Sequence, residues 1–386
     1  MSRKVLLSVL VVLTLVMLQA GLAWGETPQE KWLKDAKLGP YAPAAEDWQA
    51  IYEAAKKEGR VVIYSMSSRV FKLKTLFESA YPGIEVIPYD LPTNTQIEKI
   101  KREQASKVYN ADVCLLTGGS LIIHDLVKSH LLWNFVPPEV RDVLPPQYRE
   151  PIMGHHISMK VVIYNSEKYS EPPVKSLWDL TKPEWKGKVL FKDPFRDTGN
   201  MEWLMTVIQH SEEMAAEYKR VFGKDITLTT ENAGQEFIKM LVKNGLVLMS
   251  SDGDIAKAVG TKGQKDPPIG ICDYGKMRDV IDGKLVFNVA FDVKPVTGVF
   301  QPAFLGIVNQ APHPNAAKLL IKFMMGDKQG GLGLEPWHVP GNYSVRTDVV
   351  TPAGAKPLSE MNCWMPDFEY IYYHTAEFFD FWLSLL

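Results

Sequence analysis

Met159-Lys160-Val161-Val162-Ile163-Tyr164-Asn165, followed by Ser176-Leu177-Trp178-Asp179-Leu180-Thr181-Lys182-Pro183-Glu184-Trp185-Lys186-Gly187-Lys188-Val189, decides how this chain is organised. A buried β run passes through a polar turn into a short helix anchored by Trp178. A second β run then ends at Asp193-Pro194. The pattern reads as a crossing point, where the chain leaves one α/β half and begins another.

Upstream, strand and helix alternate three times. Arg60 to Tyr64, Ile84 to Tyr89 and Ala111 to Leu116 read as strands. Helical spacing fills Trp48 to Glu58, Arg69 to Tyr81 and Thr93 to Lys107, with Thr93 as the expected N-cap of the third. Apolar strands of this kind suit a parallel sheet covered on both faces. Thr117 to Ser120 turns into another helix ending near His130. Downstream, Val189 to Lys192 and Leu246 to Met249 are strands. Helical patterns begin at Met201 and surround 212–221 and 233–243. Leu285 to Asp292 is the expected return crossing, and Phe304 to Val308 rejoins the first sheet. The aromatic stretch from Leu358 is expected to pack as a helix on the first half.

At 386 residues the chain is long enough for two cores. A formal charge of −2 gives no basic excess to support nucleic-acid binding. Arg3 and Lys4, the apolar run from Val5 to Leu18, and small residues at Ala23 and Gly25 read as a cleavable secretory signal over 1–25. The expected organisation is 26–157 plus 296–386 as one lobe and 158–295 as the other. Cys114, Cys272 and Cys363 cannot all pair, and their spacing excludes a C-x-x-C site. Cys114 lies in an apolar run and reads as a core thiol; a Cys272–Cys363 bridge is left open.

Several segments, in order, resemble the periplasmic solute-binding proteins of ABC transporters, in the group that binds iron, thiamine, polyamines and sugar phosphates. These are Val61-Val62-Ile63-Tyr64-Ser65, then Phe77-Glu78 through Tyr81-Pro82-Gly83-Ile84-Glu85-Val86, and Ala111-Asp112-Val113. Trp178 to Val189, Ala311-Pro312-His313-Pro314-Asn315-Ala316-Ala317-Lys318 and Gly341-Asn342-Tyr343-Ser344-Val345-Arg346 follow. The resemblance implies an α/β, two-lobed type II periplasmic-binding-protein fold. Each lobe would be a mainly parallel sheet flanked by helices, and two β segments would cross between them. It also implies a monomeric, periplasmic binding component that serves an inner-membrane ABC permease, has no cofactor and catalyses nothing.

Ligands of open α/β sheets sit beyond the carboxyl ends of the strands, where helix N-termini offer free N–H groups. Four loops meet that condition. They contribute Ser65, Ser67, Ser68 and Arg69; Thr117, Gly118, Gly119 and Ser120; Asp193, Arg196, Thr198, Gly199 and Asn200; and Ser251, Asp252 and Asp254. Tyr274 joins the set as a single tyrosine. A lone Ser or Thr at such a place more simply caps its helix; four loops at one end of the strands point to a ligand. Arginines beside acids suit an anionic or zwitterionic organic solute.

Ferric iron, a hard cation, is the competing ligand. Iron binders of this group carry adjacent tyrosines after the strand corresponding to 246–249, but Ser250 to Gly260 contains none. Tyr372-Tyr373-His374 lies in the aromatic tail. His155 and His156 point to opposite faces of a strand and are read as structural or hinge residues. A further alternative is a thiaminase-like enzyme on the same fold with Cys114 as nucleophile, which needs a depressed thiol pKa and a nearby base. No H-E-x-x-H, P-loop or G-x-S-x-G element occurs.

Overall fold

The computed structural model describes residues 26–386; the expected signal segment, 1–25, lies outside the described residues. Residues up to Pro43 belong to a small unit of their own. It contains helix α1 (Pro28–Ala36), started by a capping box between Thr27 and Glu30. Residues 44–386 make a second compact unit, described from here on.

Its strands form one sheet with the order β2-β1-β3-β10-β5-β8-β6-β7, and two short strands attach to it, β4 (Leu132–Trp133) on β10 and β11 (Tyr343–Ser344) on β5. At one end β1 (Arg60–Ser65) pairs in parallel with β2 (Glu85–Asp90) and β3 (Val113–Thr117). At the other, β6 (Val189–Lys192) pairs in parallel with β7 (Val247–Met249) and β8 (Ile269–Asp273). Two long strands join these parallel ends: β5 (Met153–Asn165) and β10 (Gly298–Val308), antiparallel to each other. β10 continues antiparallel onto β3, and β5 onto β8. Every residue of β5 is buried, which is why its sequence shows no alternation.

The helices that cover this sheet follow the expected spacing. They are α2 (Trp48–Glu58), α3 (Val70–Ala80) and α4 (Thr93–Ala105) at the first end. α5 (Thr198–Gln209), α6 (Ser211–Phe222), α7 (Ala233–Lys243) and α8 (Asp252–Gly260) cover the second. α9 (Pro314–Met324) packs beside α2. Ser176 caps the 3-10 turn Leu177–Thr181 and drives Trp178 into the core, where its Nε1 donates to Met214 O at 2.9 Å. The ring meets Tyr218 and Phe237 edge-on, so the tryptophan-anchored turn stands as read.

Four local expectations are corrected. Thr93 does not cap α4: Pro92 holds that position, and the buried Thr93 Oγ1 accepts from Thr117 N at 3.3 Å instead. The run after Gly118 is a short helix, Gly119–Leu121, continued as a π-helix over Ile122–Val127. Leu285 to Asp292 holds only β9 (Phe287–Val289), paired with the far end of β5; the long return strand is β10. Pairing was limited by the short edge of β5 left free beyond β8.

The fourth concerns the tail. β12 (Cys363–Trp364) pairs with the start of β10 and leads to α10 (Phe368–Tyr373) and α11 (Thr375–Leu385). Trp364, Ile371, Phe378 and Trp382 join the apolar cluster of Trp178, Trp203 and Phe237, not the cluster under β1–β3. The tail's largest apolar residues therefore complete the second half, while α10 also reaches the first, where the Phe368 ring covers Gly119 and Tyr372 stacks on His124 and donates to Asp125 at 3.0 Å. All three cysteines are free thiols, with Cys363 Sγ resting 3.8 Å from Met159 Sδ rather than on Cys272.

Candidate functional site

The carboxyl ends of β1, β3, β6 and β8 and the N-terminus of α8 open onto one cavity of about 310 Å³. β1 delivers Ser67, Ser68 and Arg69; β3 delivers Thr117; α8 begins with Ser251 and Asp252. These six expected residues line it. Ser251 Oγ accepts from Asp254 N at 3.1 Å, so the helix-capping and cavity-lining readings hold together at this residue.

The other expected residues do not line it. Ser65 is buried and ties its own turn, accepting from Ser67 N at 3.1 Å. Gly118, Gly119, Ser120, Thr198, Gly199 and Asn200 form a sealed seam between the β3 loop and the start of α5. Gly118 has φ +87°, and a Cβ there would lie 2.7 Å from Thr198 Cβ. Thr198 Oγ1 donates to Asn94 Oδ1 at 2.6 Å, and Gly199 O accepts from Gln301 Nε2 at 2.7 Å. Asn200 is fully buried with both side-chain polar atoms unpartnered. Asp193 closes a local turn by accepting from Phe195 N, Arg196 is exposed, and Asp254 accepts from the Ser250 and Ser251 hydroxyls. Tyr274 is buried away from the cavity, with its ring on Phe291.

Sequence reasoning missed the cavity's charged floor. Lys160, on β5, is fully buried and pairs with Asp252; Lys192, at the end of β6, pairs with Asp197 and stands 4.0 Å from Asp252. Burial would raise the Asp252 carboxyl, but the Lys160 and Lys192 ammoniums outweigh it and hold it well below the usual carboxylate range. Burial likewise opposes the Lys160 charge, yet Asp252 and Asp197 raise its pKa above the ordinary lysine value. Asp252 Oδ1 also accepts from Asp273 N at 3.0 Å, and Ser158 Oγ donates to Asp273 at 2.6 Å. Lys160 stood in the deciding stretch itself, and a lone lysine inside a buried run was the available signal.

Positive charge is left over at the other end. Arg69, Lys276 and Arg278 line the cavity, and among the described residues none of them forms an ion pair. Arg69 Nη1 donates to Asn342 Oδ1 at 2.5 Å and Nη2 to Gly275 O at 3.2 Å, while its buried Nε has no partner. Burial, with Arg278 close by, pulls this guanidinium down to about 10 against the pull of Asp273 and Asp279. Asp90, His156, Gln301 and Trp337 also line the walls. His156, read as a structural or hinge residue, is also a cavity residue, and the two histidines do not face apart as expected: the pairing skips His155 at a register shift, and their Nδ1 atoms lie 2.8 Å apart. No group of three or more metal-ligating side chains occurs among the described residues. Cys114 is fully buried in β3 and burial pushes its thiol up, the opposite of what a nucleophile needs.

The family described as bacterial extracellular solute-binding protein matches residues 72–353, so the chain belongs to that family. No curated protein matches it in sequence. Among solved structures it is similar to iron-bound HitA from Pseudomonas aeruginosa, with a TM-score of 0.65, 18% identity, and coverage of 84% of this chain and 99% of that one. It is similar to the periplasmic binding protein AfuA from Actinobacillus pleuropneumoniae with fructose-6-phosphate bound, with a TM-score of 0.64, 18% identity, and coverage of 84% and 98%. It is also similar to the substrate-binding protein of an ABC transporter from Agrobacterium tumefaciens, with a TM-score of 0.65, 14% identity, and coverage of 85% and 94%. The fold is the two-lobed type II periplasmic binding fold, with β5 and β10 as its crossing strands.

Proposed function

We propose that this chain is the extracytoplasmic binding component of an ABC importer that holds a small anionic or zwitterionic organic solute in the cavity between its lobes. The lobes are 26–157 with 296–386, and 158–295, with the largest apolar side chains of the tail packed against the second. The protein works as a monomer in the periplasm, without a cofactor, and hands its solute to an inner-membrane permease. The observation that carries the solute class is the imbalance of charge around the cavity. Asp197 and Asp252 are engaged by Lys192 and Lys160, and the remaining lining carboxylates, Asp90 and Asp273, are outnumbered by Arg69, Lys276 and Arg278, none of which forms an ion pair among the described residues. A half-buried cation cluster is stabilised by an anion.

The solutes of related structures span both readings, iron in HitA and fructose-6-phosphate in AfuA. Lysine-paired Asp197 and Asp252 and the surplus of cations over carboxylates favour the second kind. A thermal-shift panel of organic anions, amines and ferric salts tests the reading. An organic anion should raise the melting temperature of the wild type and not that of Arg69→Ala. Stabilisation by ferric ion alone, or by none of the panel, contradicts it.

A further inference from the structure

Two linked hydrogen bonds fix the state of one nitrogen in the cavity wall. Met324 O can only accept, so His155 Nε2, 3.0 Å away, carries the hydrogen. His155 is fully buried, and burial pulls its pKa down to about 4 against the Met324 bond. The ring is neutral, and its Nδ1 is a bare acceptor. The atom 2.8 Å from it is His156 Nδ1, which must therefore donate. Burial, His155 and Arg69 hold His156 neutral as well, so its Nε2 is left without a hydrogen. Among the described residues nothing donates to that nitrogen, and His156 lines the cavity.

A bare ring nitrogen facing a ligand calls for a donor on the ligand. Arg69 selects the kind. Its guanidinium opposes positive charge on both imidazoles, and an ammonium or metal ion at Nε2 would meet the same repulsion. An uncharged hydroxyl would not. Arg69 and Trp337 line the same cavity, and the Trp337 ring lies 6.1 Å from that of His156. Acceptor and guanidinium thus share one cavity, matching a hydroxyl next to an anionic group.

We propose that His156 reads a hydroxyl of the solute while Arg69 holds the neighbouring anionic group, so the solute is a hydroxylated organic anion, either a hydroxycarboxylate or a polyol phosphate. This rests on the anion-binding function above. His155 is a positioning residue that fixes the His156 tautomer.

The test is calorimetric titration of the mature chain with matched pairs: citrate against tricarballylate, and glycerol 3-phosphate against propyl phosphate. In at least one pair the hydroxylated member should bind about tenfold or more tightly. His156→Phe should close that gap by weakening the hydroxylated member alone. Equal binding within both pairs, or a gap that survives His156→Phe, overturns the hydroxyl assignment and leaves the anion reading standing. Absence of binding by all four overturns both. Nitrogen-15 NMR of the histidine-labelled wild type is independent of how the variant folds. It should find His156 Nε2 unprotonated and shifted by the bound anion; a protonated Nε2 overturns the assignment.

Discussion

Ser120 donates twice to one oxygen of Glu202: its backbone N–H at 3.0 Å and its hydroxyl at 2.7 Å both reach Oε1. Ser120 follows β3 in the first half of the sheet, and Glu202 lies on α5 in the second, so this contact joins the two proposed lobes beside the cavity. Both side chains are buried.

Burial raises the Glu202 carboxyl to about 7 despite those two bonds, with Asp197 adding to the rise. A raised acid favours the folded, joined state when protonated. Its contribution is complete below the ordinary carboxyl value and is lost as pH rises through about 7. Thermal melting should therefore weaken between pH 5 and pH 8. Glu202→Gln, which stays neutral and still accepts, should flatten that part of the profile. An unchanged slope in the variant would place the titration elsewhere.

Lys160→Met should be among the most destabilising single changes in the cavity. It leaves the buried Asp252 carboxylate without its nearest cation, with Lys192 4.0 Å away, and stranding one partner of a buried pair costs about 3–5 kcal/mol. Urea unfolding measures this; a loss below about 1 kcal/mol would mean that Asp252 is already solvated, as in exposed pairs.

Gly118→Ala tests the seam. The backbone there is left-handed, and the added methyl would collide with Thr198 across the contact. The cost should exceed about 1 kcal/mol, and solute affinity should fall with it, although Gly118 does not line the cavity. An unaltered melting temperature would show that the β3 loop and α5 separate freely.

Trp382→Ala tests where the tail belongs. The ring is fully buried in the cluster around Trp178 and Phe237, so truncation should cost about 3–5 kcal/mol. Hydrogen exchange should rise in α5 and α7. Exchange rising around β1–β3 instead would return the tail to the first half.

The sheet was legible because its strands are apolar runs punctuated by Gly, Pro and Asn, and because Trp178 announces its turn. Strand β6 matches the expected span residue for residue. The tail was not, since aromatic residues declare burial without naming the surface that buries them. The site was half legible. Ser67, Ser68, Arg69, Thr117, Ser251 and Asp252 come from strand-to-helix loops, where position alone is informative. His156, Ser158, Lys160 and Gln301 reach the cavity from the long strands β5 and β10, and only the crossing of those strands turns them inward. Asn342 and Trp337 arrive from segments more than 250 residues after Arg69, beyond any local pattern.

Mass spectrometry of the small molecules released when the purified mature protein is denatured tests the central claim most directly. An organic anion bearing a hydroxyl, near one per chain in the wild type and missing from Arg69→Ala, is the predicted result. Ferric iron or an uncharged solute in that place, retained by Arg69→Ala, would contradict it.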